Sequence, residues 1–91
     1  KISISGNFPN PFNPTTRIQF SVLNRDEISL KIFSMSGKVV RIFSKKYFDS
    51  GNHFIDWDGK DEEFNSLPSG VYFYNIESPS SSVTAKMTLL K

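Results

Sequence analysis

An acidic segment late in the chain is the one place where side chains could hold a cation. Asp56, Asp58 and Asp61 lie there with two glutamates, all within eight positions, and carboxylates are the hard oxygen ligands that Ca²⁺ prefers. The spacing does not fit an EF-hand loop, because Gly59 comes too early and Lys60 lies among the ligands. A metal site formed by Asp56, Asp58 and Asp61 is therefore the weaker interpretation.

The same segment fits a structural turn better. Asp58 can accept a hydrogen bond from the backbone of its own turn, and Gly59 can adopt a permissive dihedral angle. Trp57, which precedes them, is a large apolar side chain with one polar atom and can anchor the turn to a core. We therefore expect a turn here rather than a calcium site.

Catalytic groups are scarce elsewhere in the chain. His53 is the single histidine, there is no cysteine, and neither a Gly-x-Ser-x-Gly elbow nor a glycine-rich phosphate loop is present. A nucleophile, a base and an orienting acid cannot be assigned together. The sequence predicts a protein that is not an enzyme and needs no cofactor, with His53 as an ordinary strand residue.

Length and charge argue against other classes of protein. A chain of 91 residues is the size of one domain. On folding, such a domain buries only somewhat more than about 60% of the surface that its unfolded chain exposes. Eleven basic and nine acidic residues give a net charge of +2, a small excess for a nucleic-acid partner. No apolar run approaches the roughly 20 residues of a membrane span, and the N-terminus lacks the apolar region of a signal peptide. If the protein is exported, we expect this segment to come from a longer precursor.

The elements that must position these residues are strands. Apolar residues alternate with polar ones almost throughout the chain, which is typical of half-buried strands. The alternation and the spacing of the turns predict an all-β fold, an immunoglobulin-like antiparallel β-sandwich of about seven strands, with a small barrel as the alternative. The predicted strands cover residues 2–5, 16–22, 27–35, 39–44, 53–57, 71–77 and 82–90.

The hairpin around Gly37 has two possible registers. A two-residue loop places Ile32 opposite Arg41, whereas a three-residue loop over residues 36–38 places Ile32 opposite Ile42. We predict the second register, with a positive-φ residue in the turn, because it pairs two apolar side chains. The other face of the hairpin then carries Phe33, Met35, Val39 and Phe43 beside Lys31 and Arg41.

Aromatic residues supply 14% of the chain, and core packing accounts for most of them. On one predicted strand Tyr72, Tyr74 and Ile76 share a face while Val71 and Phe73 share the other, so this strand is predicted to be central and covered on both sides. Several rings exposed on one surface would instead indicate a carbohydrate-binding platform. The alternative function is therefore an immunoglobulin-like accessory module of an extracellular enzyme, which binds carbohydrate or packs on the catalytic domain.

Five blocks of the sequence form a recognisable ordered set, namely Asn10–Thr16, Leu30–Phe33, Trp57–Asp61, Leu67–Tyr74 and Thr84–Lys91. In this order they closely resemble the type A C-terminal sorting domain of the bacterial type IX secretion system. The central and C-terminal blocks also resemble the immunoglobulin-like domain of the flagellar hook-capping protein, but the opening Asn-Pro-Phe-Asn-Pro block favours the sorting domain. The chain departs from the family pattern with Phe64-Asn65 before its Leu-Pro-Ser-Gly turn. The residues to which the resemblance assigns structural roles are Asn10, Pro11, Phe12, Asn13, Pro14, Trp57, Asp58, Gly59, Pro68, Gly70, Tyr72 and Tyr74.

The resemblance implies that residues 1–91 form a single C-terminal sorting domain of a larger secreted protein. Such a domain directs its cargo from the periplasm across the outer membrane, and the cargo is then secreted or held at the cell surface. The implied partners are the type IX translocon, a sortase-like peptidase that removes the domain, and the cargo domain that precedes it. Neither a nucleic-acid partner nor a transmembrane segment is expected.

Recognition is expected at the C-terminal hairpin. A terminal strand can pair through its edge with a strand of a partner, although Lys86 could equally protect that edge from aggregation. The block over residues 10–16 is expected to be structural, with Phe12 closing one end of the sandwich. The residues expected to be read by the translocon are Lys86, Thr88, Leu89, Leu90 and Lys91.

Overall fold

Seven β-strands in two sheets form the chain, and the computed structural model describes all of residues 1–91. The first sheet has three strands in the order β1-β2-β5, and the second has four in the order β4-β3-β6-β7. All of the strand pairs within the two sheets are antiparallel, which confirms the predicted sandwich. No helix is long and apolar enough to cross a membrane. The strands are β1 (Ile2–Phe8), β2 (Thr16–Val22), β3 (Asp26–Ser34), β4 (Val39–Phe48), β5 (Gly51–Trp57), β6 (Gly70–Ser78) and β7 (Ser81–Leu89).

The core lies between the two sheets and is built from alternate residues of the strands. In β2 the side chains of Ile18, Phe20 and Val22 are buried, and the residues between them are not. Full burial of each such side chain contributes roughly 1.5–3 kcal/mol. The fourteen hydrophobic residues of the core are Ile2, Phe12, Ile18, Phe20, Val22, Ile28, Leu30, Ile32, Trp57, Tyr72, Tyr74, Ile76, Met87 and Leu89.

The predicted register of the β3–β4 hairpin is wrong. Ile32 lies opposite Arg41, and Phe33 lies opposite Val39, so that Val40 is an extra residue on β4. A bulge of this kind shifts the pairing by one residue and reverses the faces of the side chains beyond it. The apolar pattern of the two strands could not reveal the bulge. Apolar residues stand on both sides of Arg41 in the sequence, so a shift of one residue still pairs apolar side chains elsewhere in the hairpin.

The bulge moves two side chains from the outer face to the inner face. Phe43 lies opposite Leu30 and packs against the core, whereas it was expected on the outer face. Arg41 lies opposite the buried Ile32, and its side chain is only 18% exposed. The expectation that Arg41 lies beside Lys31 on the outer face is therefore wrong.

The central position of β6 is confirmed, because it pairs with β3 on one side and β7 on the other. Its second face is not covered, however, since Val71 and Phe73 are only partly buried and no third layer exists. Near the start of β6 the Tyr72 hydroxyl donates a hydrogen bond to the carbonyl oxygen of Pro68 over 2.7 Å. This contact is the tyrosine corner that recurs in immunoglobulin-like sandwiches. Burial raises the pKa of the Tyr72 and Tyr74 phenols.

Candidate recognition site at the C-terminal end of the sandwich

The end of β7 presents two kinds of side chain in alternation. Met87 and Leu89 are buried in the core, and Val83 and Ala85 pack against it. Lys86 lies on the opposite face of the strand and is exposed. The strand is therefore anchored through one face and leaves the other face open to solvent.

Leu89 differs from the other residues that were expected to contact the translocon. Its side chain is 0% exposed and lies against Gly59 in the turn after β5. Leu90, by contrast, is 53% exposed, and Lys91 is also exposed. While the domain is folded, Leu89 can act only through packing, and readout by a partner falls to Lys86, Leu90 and Lys91, with Thr88 partly exposed beside them.

A short segment from the opening block pairs with the edge of β7, and we call this segment, Asn10–Phe12, the strap. The N–H of Phe12 donates to the carbonyl oxygen of Thr88 over 3.0 Å, and the N–H of Leu90 donates to the carbonyl oxygen of Phe12 over 2.9 Å. The N–H of Thr88 donates to Oδ1 of Asn10 over 3.1 Å. The main chain of Thr88 and Leu90 is therefore already paired, and a partner strand cannot add there without displacing the strap.

The ring of Phe12 closes this end of the sandwich, as the sequence predicts. It is 2% exposed and lies against Trp57, with 5.6 Å between the ring centroids. Trp57 in turn contacts Tyr72 edge to face, with a centroid distance of 5.7 Å. Aromatic pairs of this geometry contribute about 0.5–1.5 kcal/mol each beyond their burial. The aromatic row therefore joins three separate sequence blocks in one cluster.

The turn after β5 forms as predicted. Oδ1 of Asp58 accepts the N–H of Lys60 over 3.1 Å, and Nε1 of Trp57 donates to the carbonyl oxygen of Lys60 over 2.9 Å. Gly59 has a φ of +74°, and a Cβ placed there would lie 2.9 Å from the carbonyl oxygen of Pro14. The turn is thus packed directly against the opening block.

The structure does not bring Asp56, Asp58 and Asp61 together as a metal site. No group of three or more His, Cys, Asp or Glu residues has an arrangement that could hold a metal ion. Asp56 accepts two hydrogen bonds from Arg17, at 2.9 and 3.2 Å, which lower the pKa of its carboxyl. Each of the three carboxylates serves a separate local contact.

Asp61 holds the loop that follows the turn. Its carboxylate accepts the N–H of Asn65 over 3.0 Å and the N–H of Glu63 over 2.9 Å. These hydrogen bonds, first of all that from Asn65, hold the pKa of the Asp61 carboxyl below its ordinary value. The acidic character of the segment is explained by turn formation.

Arg41 is a structural residue that the sequence reasoning missed. Its Nη1 lies 3.0 Å from Oδ1 of Asp58 and 3.1 Å from the carbonyl oxygen of Lys60, and its Nε lies 3.3 Å from Oε2 of Glu62. The guanidinium can make these contacts only because the bulge in β4 turns it inward. The only sequence signal was an arginine among the apolar residues of 39–43, and that signal does not determine the register.

Glu62 closes part of the free edge of β4. Its N–H donates to the carbonyl oxygen of Val40 over 3.1 Å, and its carboxylate accepts the N–H of Ile42 over 2.8 Å. One residue thereby satisfies two main-chain groups that an edge strand would otherwise present to another chain.

A seven-stranded immunoglobulin-like sandwich with a strapped terminal strand is the class of domain that these features define. Residues 7–90 match the family model of the secretion system C-terminal sorting domain. The match covers almost the whole chain, and the chain therefore belongs to this family, whose members are sorting domains of the type IX secretion system. No curated protein matches the chain in a sequence search.

Three solved structures are similar to the chain. Dimeric latent PorU from Porphyromonas gingivalis has a TM-score of 0.76 and 17% identity, over 98% of this chain and 9% of PorU. PorZ, an essential surface component of the type IX secretion system of the same bacterium, has a TM-score of 0.66 and 19% identity, over 97% of this chain and 11% of PorZ. FlgD from Xanthomonas campestris, a hook-capping protein, has a TM-score of 0.67 and 16% identity, over 96% of this chain and 64% of FlgD.

At these identities the structural likeness concerns the fold alone. The chain spans about a tenth of the length of PorU and PorZ, so it corresponds to one domain of each. The family match, and not the structural likeness, identifies the chain as a sorting domain for secretion. The match does not favour the carbohydrate-binding accessory module.

Proposed function

We propose that residues 1–91 are a single sorting domain of a larger secreted protein, that this sorting unit catalyses no reaction, and that it is recognised as a folded domain at its C-terminal end. A translocon in the outer membrane recognises this end and passes the cargo from the periplasm to the outside. A sortase-like peptidase then removes the domain, and the cargo is secreted or stays at the cell surface.

The convergence of the family's sequence blocks at one end of the sandwich carries this proposal. The strap, the Phe12–Trp57–Tyr72 row and the end of β7 lie in mutual contact there. Blocks that are far apart in sequence need each other to hold the last strand in place. A partner that binds the last strand therefore binds only when the whole domain has folded.

The exposed groups at this end are available for readout. Lys86 forms no ion pair within the domain, and Leu90 presents an apolar side chain to solvent. Lys91 is fixed through its main chain, because its N–H donates to the hydroxyl of Ser69 over 2.9 Å. Two exposed ammonium groups and one exposed apolar side chain thus lie within the last six residues.

Removal of the last residues is a poor test of this proposal, because residues 86–91 include the buried Met87 and Leu89. A triple substitution of exposed residues, Lys86→Ala with Leu90→Ala and Lys91→Ala, separates readout from folding. We expect a secreted reporter fused to the wild-type domain to leave a bacterium with the type IX machinery. The triple variant should keep the thermal unfolding midpoint of the wild type and leave the reporter in the periplasm.

The matched control is Lys45→Ala with Lys46→Ala, which removes two exposed ammonium groups from β4. We expect this variant to be exported like the wild type. Export of the folded triple variant at the wild-type level would refute readout at the C-terminal end. Failure of the wild-type fusion to leave the cell would contradict the proposed sorting unit itself.

A further inference from the structure

We propose that the outward edge of β7 from Ser82 to Lys86 is a strand-addition site, at which an extended segment of the secretion machinery pairs with the main chain of the domain. This inference rests on the proposed function and names the kind of contact through which the domain is read. The occupant is a strand of a protein partner, and the contact is made chiefly by backbone hydrogen bonds.

The direction of the main-chain groups in β7 follows from the strap. The N–H and the C=O of Thr88 point away from β6, because they bond to Asn10 and Phe12. In an antiparallel pair the main-chain groups of alternate residues point to the same side. The N–H and C=O of Lys86, Thr84 and Ser82 therefore also point away from β6.

These outward groups have no partner in the domain. β6 is the only strand that pairs with β7, the strap reaches no further than Thr88, and none of the backbone hydrogen bonds outside the sheets involves Ser82, Thr84 or Lys86. β1 lies next to β7 but forms no strand pair with it. Three consecutive outward positions with free donors and acceptors form a template for one more strand.

The strap shows that this edge accepts a strand. Phe12 forms a parallel bridge with Leu89, and the strap makes three hydrogen bonds to the same edge. It ends there because Pro9 and Pro11, which precede Phe12, have no N–H to offer. The site between Ser82 and Lys86 is the continuation of an edge that is already used for pairing.

Two other edges of the sandwich are protected in ways that β7 is not. Glu62 caps β4 at Val40 and Ile42. β1 has a bulge between Ile4 and Gly6, and bulges disrupt the flat ladder that strand addition needs. β7 pairs with β6 without any shift of register, so its outward groups are evenly spaced.

The side chains around the edge define the chemistry of the partner strand. The residues that line a groove between β1 and β7 include the apolar Ile4 and Ala85, the aromatic Tyr74 and the charged Lys86. A strand laid on this edge alternates its side chains between the groove and the outer face. We therefore expect apolar residues at the positions that face the groove and a carboxylate beside the unpaired ammonium group of Lys86.

The test compares two substitutions at one residue. Thr84→Pro removes an outward N–H, and proline is tolerated in an edge strand where the N–H is unpaired. Thr84→Ala keeps the N–H, and both variants lose the hydrogen bond from Asn75 to the threonine hydroxyl. We expect the reporter fused to the Thr84→Ala variant to be exported at the wild-type level, and export of the Thr84→Pro variant to fall at least tenfold.

Thermal unfolding of both purified variants accompanies the export assay, and Ser82→Pro repeats the test at the next outward residue. Equal export of folded Thr84→Pro and Thr84→Ala variants would overturn the strand-addition site and leave the sorting function intact. If both proline variants fail to fold, amide hydrogen exchange of the wild type decides: slow exchange of the Ser82 and Thr84 amides would overturn the site, because those N–H groups would then be paired inside the domain, and fast exchange supports it. If the wild type elutes as a dimer and the Thr84→Pro variant as a monomer, the edge binds a second copy and the assignment to the secretion machinery is wrong.

Discussion

At Gly59 the chain passes beneath the carbonyl oxygen of Pro14 with a φ of +74°. This position requires a left-handed backbone conformation and leaves no room for a side chain. Its neighbours in the turn have equally specific tasks, since Asp58 accepts a backbone N–H and Trp57 donates to a backbone carbonyl. The turn was preferred over a cation site from the residue types and their spacing, and these hydrogen bonds confirm the turn.

Gly59→Ala is expected to destabilise the domain by about 2–4 kcal/mol, because strained φ and displacement of a backbone atom add. Gly37→Ala is the matched control. Gly37 also has a positive φ, of +89°, but nothing lies within 4 Å of a Cβ placed there. We expect a cost of about 1 kcal/mol for the control. Urea unfolding measures the free energy of unfolding of both variants. Equal destabilisation of the two variants would show that the contact with Pro14 is unimportant.

The hydrogen bonds to Asp61 predict a pH dependence of stability. The pKa of this carboxyl is lower in the folded state than in the unfolded chain, so its contribution is present above the unfolded value of about 3.9. It is lost as the pH falls through the depressed folded value. The wild type should be more stable than Asp61→Ala at pH 7, and the difference should shrink at pH 3. Urea unfolding midpoints of both proteins at pH 7 and pH 3 measure this difference in stability. A difference that is the same at both pH values would contradict the role given to the Asp61 carboxylate.

At the scale of the strands, alternation predicts some elements well and others poorly. β2 has the predicted bounds, Thr16–Val22, because its apolar residues alternate without interruption. β4 was expected to end at residue 44 but continues to Phe48, because the exposed Lys45 and Lys46 interrupt the pattern without ending the strand. The register of β4 depends on a bulge and on the ion pairs of Arg41, and neither is a local property of the sequence.

The cap on the β4 edge can be tested through Glu62. Glu62→Ala removes the acceptor of the Ile42 N–H, and such a hydrogen bond contributes about 0.5–1.5 kcal/mol. We expect the Ile42 amide to exchange with solvent roughly 3- to 10-fold faster, which corresponds to that energy. Glu63→Ala is the control, because the Glu63 side chain makes no hydrogen bond or ion pair in the domain. An unchanged exchange rate at Ile42 in the Glu62→Ala variant would argue against the cap.

At the scale of the whole molecule, the sequence indicates the parts of the site but not their assembly. The turn at Asp58, the closing role of Phe12 and the central position of β6 all follow from residue type and spacing. The contacts of Phe12 with Trp57, and of the strap with Thr88, join residues that are distant in the chain, and no periodicity encodes them. Alternation does place Leu89 on the anchoring face of β7 with Val83, Ala85 and Met87, but its packing against Gly59 joins residues that are distant in the chain.

The strap also determines when the domain can become complete. Phe12 and Leu89 form a bridge, β2 pairs with β5, and β3 pairs with β6, so two of the five strand pairs and the strap join distant parts of the chain. High contact order of this kind is associated with folding times of milliseconds to seconds, because the entropy of closing large loops must be overcome first. The strap can bind β7 only after Thr88 and Leu90 have been made, because its main-chain partners lie in those two residues. The final shape of the domain appears only after the last strand has been made.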